Sequence, residues 1–341
     1  MRLPKVSFVI PTLNAGSVLS NCLESIFIQD YPKDRIEIII SDGGSSDSTL
    51  DIANEFKCKI VKNPLKTGES GKAVGVREAK GEYIALVDSD NILSSKTWLK
   101  EMVKPLVKHK DFVGSEPWEY TWRKEDGFID RYCSLVGVND PLVLFTGNYD
   151  RLNLLSGRWT EIDHQEEDHK KYILATFDRK GLPTIGANGT IFRSSYLKKE
   201  LGNLDYLFDV DIVAKTIKSK GSVKLIKVKI GIIHTFCGND IFKFSRKQRR
   251  RIRDYIFHKF NSKRDYAWEN ARNTVGIAKF ILSCITVLPL FVSSVRGYIR
   301  KRDLAWFFHP LACEITLWQY GLWSILSLFK KSEVSRKKWK Q

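Results

Sequence analysis

A chain of 341 residues is long enough for one large or two modest domains and needs no disulfide or metal staple to bury a core. Its 43% hydrophobic, 12% aromatic and 28% charged residues exclude the disordered, collagenous and low-complexity classes. The formal charge of +17 is concentrated: residues 1–100 carry 13 basic and 13 acidic side chains, 101–240 carry 21 and 20, and 241–341 carry 22 and 6, so a polyanionic surface, membrane or nucleic acid, is the expected partner of the last third.

In chain order, Val6-Ser-Phe-Val-Ile10 is a β-branched run closed by Pro11, and Val18 to Phe27 places apolar residues at helical spacing. Ile36 to Ser41 predicts a second buried strand stopping at Asp42-Gly43-Gly44, after which Ser48 can cap a helix through Phe56. Lys59-Ile-Val61 predicts a third strand, Gly71 to Lys80 a helix, and Glu82 to Val87 a fourth strand ending at Asp88-Ser-Asp90. This alternation predicts a parallel sheet with right-handed crossovers. From residue 111 to 185 the pattern is less regular, and the run Asp163-His164 to Asp168-His169 reads either as metal ligands or as a solvated acceptor loop. Periodicity resumes at Leu207 to Lys220, a helix closed by Gly221, and Val223 to Ile233 reads as one or two strands. Residues 1–240 are expected to form one α/β body, followed by a basic region over 241–341.

The cysteines, Cys22, Cys58, Cys133, Cys237, Cys284 and Cys313, form no CxxC pair and read as reduced cytosolic thiols, mostly in the core. The apolar run before Pro11 is too short for a signal peptide, so the body is expected to stay in the cytoplasm.

In sheets of this kind ligands bind beyond the carboxyl ends of the strands, and three polar clusters lie there: Pro11-Thr-Leu-Asn14, Ser41-Asp-Gly-Gly44 and Asp88-Ser-Asp90. The turn Pro11-Thr-Leu-Asn-Ala-Gly16 lacks the G-x-G-x-x-G of a nicotinamide dehydrogenase, and Gly68-Glu-Ser-Gly71-Lys72 lacks the spacing of a P-loop. Asp42 can accept hydrogen bonds from a pyrimidine N–H or a ribose hydroxyl, and Gly43-Gly44 lets backbone approach a ligand closely. Asp88 and Asp90, two apart at a strand end, can hold a divalent cation.

Val6 to Asn14, Ser41-Asp-Gly-Gly-Ser-Ser-Asp-Ser-Thr49 and Ala79 to Asp90, in that order and spacing, resemble the family 2 glycosyltransferases of GT-A fold. The resemblance implies a Rossmann-like, mixed, mostly parallel α/β sheet flanked by helices, with a nucleotide-sugar half over 1–105 and an acceptor half over 106–240. It implies Asp90 as a ligand of Mn2+ or Mg2+ and Asp88 as a ribose or metal contact. Thr12 and Asp42 are then expected to line a nucleoside pocket with Pro11, Asn14 and Gly43, and Lys72 to stand near the diphosphate. Gly186-Ala-Asn-Gly189 followed by Phe208-Asp-Val-Asp211 resembles the acceptor side, which implies Asp209 as the general base, with Asp211 as the fallback; an inverting transfer needs such a group to take the proton of the attacking hydroxyl. His234 lies where GT-A proteins place a histidine on the metal or diphosphate. Ser245 to Arg253 resembles the Q-x-x-R-W motif of processive synthases, with Gln248 and Arg251 in place to grip a nucleotide or lipid diphosphate and Ile252 in place of the tryptophan.

Val275 to Val295 holds 21 residues with only Lys279 charged, and Leu304 to Phe329 is rich in Trp and Phe. The flanks 241–274, 296–303 and 330–341 are all basic, and two full crossings cannot keep all three on the cytoplasmic side. In-plane or re-entrant helices on an anionic inner leaflet are therefore expected. The expected function is an inverting, metal-dependent glycosyltransferase at the cytoplasmic face of the cell membrane, moving sugar from a nucleotide sugar, a UDP-sugar, to a lipid-linked or glycan acceptor. Synthesis of a polyprenyl-phosphate sugar is the alternative among enzymes. A nucleic-acid-binding protein using the basic tail is the alternative from another class, against which stand the apolar helices beside the charge and the lack of an aromatic–glycine RNA-binding signature.

Overall fold

The computed structural model of the chain describes residues 3–260, 264, 266 and 271–328. Its elements in chain order are β1 (Val6–Thr12), α1 (Leu19–Phe27), β2 (Ile36–Asp42), α2 (Thr49–Glu55), β3 (Lys59–Lys62), α3 (Gly68–Glu78), β4 (Tyr83–Leu86), β5 (Asn91–Leu93), α4 (Trp98–Lys108), β6 (Gly114–Tyr120), α5 (Phe128–Val136), α6 (Leu142–Thr146), β7 (Gln165–Asp168), β8 (Tyr172–Asp178), β9 (Thr190–Arg193), α7 (Ser194–Leu201), α8 (Asp209–Lys220), β10 (Ser222–His234), α9 (Ile241–Phe260), α10 (Ala271–Thr286), α11 (Leu288–Arg300) and α12 (His309–Leu326). Among the described residues, 3–118 and 163–234 make up one unit, and 119–162 with the residues from 235 to 328 make up another.

The first unit is built on a ten-stranded sheet ordered β3-β2-β1-β4-β9-β6-β10-β8-β7, with β5 paired to the end of β10. The strands β3, β2, β1 and β4 are mutually parallel. By contrast β4 with β9, β9 with β6, β10 with β8 and β5, and β8 with β7 are antiparallel. The sheet is mixed, but not mostly parallel as expected: the strand–helix alternation of the first four strands stops at α4, and the chain then doubles back in hairpins and in the single long strand β10. Phe8, Val9, Ile10, Ile39, Ile40, Ile84, Ala85 and Leu86 are wholly buried, which is why the parallel strands read as unbroken apolar runs.

One helix lies especially close to this sheet. A methyl group on Gly75 would come 2.4 Å from Val9 Cγ1 and 2.7 Å from Ser41 Oγ, and one on Gly71 would come 2.8 Å from Pro11 Cβ. The two glycines let α3 settle against β1 and β2, and Thr67 caps it, its Oγ1 accepting from Ser70 N at 3.1 Å. That seat determines where Lys72, one residue after Gly71, stands.

The second unit packs α5 and α9 against Trp306, Phe308 and the start of α12, around Tyr132, Leu135 and Phe244, while Phe280, Cys284, Leu290 and Cys313 join α10, α11 and α12 beside α6. Residues 119–162 therefore group with the C-terminal helices and not with the rest of the expected 1–240 body, because α5 and α6 bury their apolar faces there. No helix among the described residues is long and apolar enough to cross a membrane; the stretch Asn273–Thr286 and α11 form an apolar pair bent by 93°. The bend falls at Val287, whose φ of 57° is costly for a β-branched residue. Ile285, Leu288 and Ile299 on this pair are 72%, 69% and 75% exposed. The basic tail expected over 330–341 lies outside the described residues.

Gly75→Ala tests the close seat of α3. Alanine gains about 1 kcal/mol of helix propensity. Val9 and Ser41 are wholly buried in parallel strands, so a contact of 2.4 Å draws on the upper end of the roughly 1–3 kcal/mol that overpacking costs. The expected net result is a lowered melting temperature; a raised one would show that α3 can ride outward.

Candidate active site

Because β2, β1 and β4 are neighbours and parallel, the segments that follow them emerge on one edge of the sheet. Pro11 pairs in register with Ser41 and Thr12 with Asp42. Thr12 Oγ1 donates to Asp42 Oδ1 at 3.0 Å and Ser45 Oγ to the same oxygen at 2.6 Å, while Gly44 N and Ser45 N both donate to Oδ2 at 2.8 Å. Gly43 N donates to Thr12 O at 2.8 Å. Asn14, in the left-handed region at φ 52°, accepts from Ser46 N at 2.8 Å and donates its own N–H to Ser45 Oγ at 2.8 Å. Pro11, Thr12, Asn14, Asp42 and Gly43 are thus brought together, as the sequence suggests. A carboxylate offers about four acceptor sites, and this loop uses them all on Asp42. These bonds fix the Asp42 side chain in the rim.

Beyond β4 the chain turns sharply. Asn91 Oδ1 accepts from Asp88 N at 3.1 Å and Asn91 N donates to Asp88 O at 3.0 Å. The short strand β5 then pairs with the end of β10, setting Asn91 opposite His234 and bringing His234 Nε2 to 3.5 Å from Asp90 Oδ1. Asn91 Nδ2 donates to Asn188 Oδ1 at 3.0 Å, and Gly189 N donates to Leu86 O at 3.0 Å, which ties the Gly186–Gly189 stretch to the same edge. Asn91 and Asn188 are residues that sequence reasoning did not single out; the available signal was that Asn91 directly follows the acidic pair and Asn188 is set just before a glycine.

Two helices complete the cluster. Lys72 on α3 and Asp209, the first residue of α8, meet with Nζ 2.5 Å from Oδ2, their side chains only 7% and 11% exposed. The other oxygen, Oδ1, is buried and meets no hydrogen-bond donor among the described residues. Burial pushes the Asp209 carboxyl up, with Lys72 opposing and Glu69 adding. Burial disfavours the charged form of Lys72, yet Asp209, Glu69 and Asp88 together hold its ammonium above the usual lysine value. Burial likewise pushes Asp88 up to about 6, with Lys72 opposing, Asp90 and Asp209 adding, and His234 opposing. Asp211 is buried in the first turn of the same helix. Asp88, Asp90, Asp209, Lys72 and His234 therefore belong to one electrostatic neighbourhood.

Gln248 and Arg251 belong to the second unit, where Gln248 Nε2 donates to Asn139 O at 2.8 Å, Arg251 Nη2 donates to Asn139 Oδ1 at 2.9 Å and Arg251 Nη1 stands 3.7 Å from Asp140 Oδ2. Their polar groups are committed to holding α9 on the 139–140 turn. The acidic and histidine-containing run forms the hairpin β7–β8, in which His164 meets Glu166 at 2.8 Å, His169 meets Glu167 at 2.9 Å and Lys229 holds Asp168 at 2.7 Å. It is regular sheet, and among the described residues no group of three His, Cys, Asp or Glu side chains is arranged to hold a metal.

Residues 7–137 match glycosyl transferase family 2. The poly(ribitol-phosphate) beta-glucosyltransferase of Bacillus spizizenii is 39% identical over 103 residues, 28% of this chain and 16% of that protein. The glycosyltransferase GlyG of Streptococcus pneumoniae is 36% identical over 181 residues, 50% of this chain and 55% of its own length. The chain thus covers only part of the length of these relatives. Among solved structures, the mannosyltransferase PcManGT from Pyrobaculum calidifontis, in complex with GDP-Man and Mn2+, shares the fold with a TM-score of 0.53 at 16% identity, covering 94% of this chain and 88% of that one. The matched segment runs from β1 into α5 and holds all three loop clusters of the strand edge, and the fold of the chain is GT-A-like.

Proposed function

We propose that the protein transfers a glycosyl group from a nucleotide sugar, a UDP-sugar, to a lipid-linked or glycan acceptor with inversion at the anomeric carbon. The observation that carries the reading is the meeting of Asp88, Asp90 and His234 with Lys72 and Asp209 beyond the carboxyl ends of the parallel strands. The cross-bonded loops of Thr12–Asn14 and Asp42–Ser45 supply a rigid rim for the nucleoside. Asp90 and Asp88, with His234 beside Asp90, suit Mn2+ or Mg2+: such an ion takes one or two carboxylates and completes its shell with phosphate oxygens and water. The repulsion among carboxylates that contributes to raising Asp88 is what a cation relieves. When bound, the ion stabilises the negative charge that builds on the diphosphate as the sugar–phosphate bond breaks.

Asp209 is the base in this reading, taking the acceptor proton at Oδ1, the buried oxygen that Lys72 does not hold. Support for a membrane site comes from the second unit. The exposed apolar face of α10 and α11, flanked by Arg296, Arg300, Lys301 and Arg302, suits an anionic leaflet, and basic flanks favour the cytoplasmic side.

Asp90→Ala is expected to abolish the rise in melting temperature that UDP with Mn2+ produces, while the unliganded variant melts close to the parent; undiminished metal-dependent binding would remove the ion from the reading. Asp209→Asn should lower turnover by about 100-fold or more with donor KM changed by less than about threefold, measured with whichever nucleotide sugar supports metal-dependent hydrolysis. Since Asp209 must be ionised and burial raises its carboxyl, turnover should fall on acidification at a pH above the ordinary carboxylate range. Should Asp209→Asn and Asp211→Asn both stay active, the acceptor attacks as an anion already, as a polyprenyl phosphate does. For the membrane surface, Ile285→Asp with Leu288→Asp should release the protein from anionic vesicles without unfolding it, because both side chains are already exposed. Sedimentation with vesicles unchanged in that variant would assign lipid binding to another surface.

A further inference from the structure

We infer that Lys72 is a positioning residue for Asp209, holding one carboxylate oxygen and leaving the other, which is buried, unpaired for the acceptor proton, and is not chiefly a clamp on the donor diphosphate. The inference rests on the reading of Asp209 as the base. Nζ and Oδ2 are 2.5 Å apart, both side chains are nearly enclosed, and 137 residues of sequence separate them. The groups facing Asp209 are Lys72 and Glu69 from α3 and Asp88 from the segment after β4. Against that much negative charge a buried carboxylate needs a near cation to stay ionised. The helix start under Asp209 adds a smaller favourable term.

The type of cation matters as much as its charge. An ammonium is a point charge that can satisfy a single oxygen, whereas a guanidinium presents a fork that takes both oxygens of a carboxylate. Lysine at this position leaves Oδ1 without a donor, and that is the atom a base needs free. The seat of α3 reinforces this geometry, since Gly71 and Gly75 bring the helix against β1 and fix the point from which Lys72 extends. A clamp on a diphosphate would gain from the fork; a partner for a general base loses by it.

The test is a double-mutant cycle read in turnover and, separately, in UDP affinity with Mn2+ by calorimetry. Lys72→Met should lower kcat by about tenfold or more, shift the UDP dissociation constant by less than about threefold, and cost less than about threefold further when Asp209 is already Asn. Lys72→Arg should keep the fold and UDP binding yet remain at least about tenfold slow, because the fork closes on both oxygens. The inference is overturned if Lys72→Met weakens UDP by more than about tenfold in both backgrounds with kcat losses that multiply. It is equally overturned if Lys72→Arg turns over like the parent. Should Lys72→Met fail to fold, the double variant, which removes both charges, and Lys72→Arg still decide between the two roles. An Asp209→Asn variant with parental turnover would bring down the base reading itself, whereas a slow Asp209→Asn with additive losses would bring down only the role given to Lys72.

Discussion

A carboxylate taken out of water persists as an anion only where a compensating charge stands close by, and the first unit concentrates three of them, Asp88, Asp90 and Asp209, in one place. The compensation is structural before it is chemical. Lys72 can reach the cluster because α3 is pressed onto β1 and β2 at two glycines, and those strands can be pressed upon because their inward residues are wholly buried aliphatics. Local backbone choice, core packing and site electrostatics are therefore one chain of cause. Moving the helix outward by the width of a methyl group would displace the one lysine on which the carboxyl side depends.

The second unit uses its cations in another way. Arg251 is bonded to Asn139 and near Asp140, to which Tyr320 also donates at 2.6 Å; Arg131 binds Asp303 at 3.0 Å. Lys301 Nζ lies 3.7 Å from the centre of the Trp122 ring, and the Arg253 guanidinium 4.3 Å from that of Trp323. Part of the basic excess of the last third is thus committed to holding helices together, and the charge available to an outside partner is smaller than the formal +17 suggests.

Sequence reading succeeded where one residue's role depends on its neighbours in the chain. The runs at Val6, Ile36 and Tyr83 are strands, the helix closed by Gly221 is α8, and Asp88, Asp90 and His234 gather as their positions at strand ends implied. It fell short where the deciding partner is remote. Nothing near Lys72 announces Asp209, and nothing near Asp42 announces that Thr12, across a strand pair, will take one of its oxygens. The hairpin β7–β8 was illegible for a different reason: Gln-Glu-Glu-Asp has no apolar alternation, and becomes a strand only because β8 offers it a ladder. The grouping of 119–162 with the last helices likewise depends on faces of α5 and α6 that short periodic windows do not separate from ordinary core.

The two ends of the ten-stranded sheet are worth following one step further. One edge is β3, Lys-Ile-Val-Lys, and the other is β7, Gln-Glu-Glu-Asp, so each open ladder of N–H and C=O groups is fringed with charge. An uncharged edge would offer a template for the strand of another molecule, and a chain with such a wide sheet would be prone to growing into fibrils. Here five charged side chains, of which none has a place in the chemistry, keep those backbone groups wetted. Drift toward neutral residues at either edge would go unnoticed in an assay of turnover and be felt as loss of colloidal stability, a selective pressure acting on this fold from outside its active site.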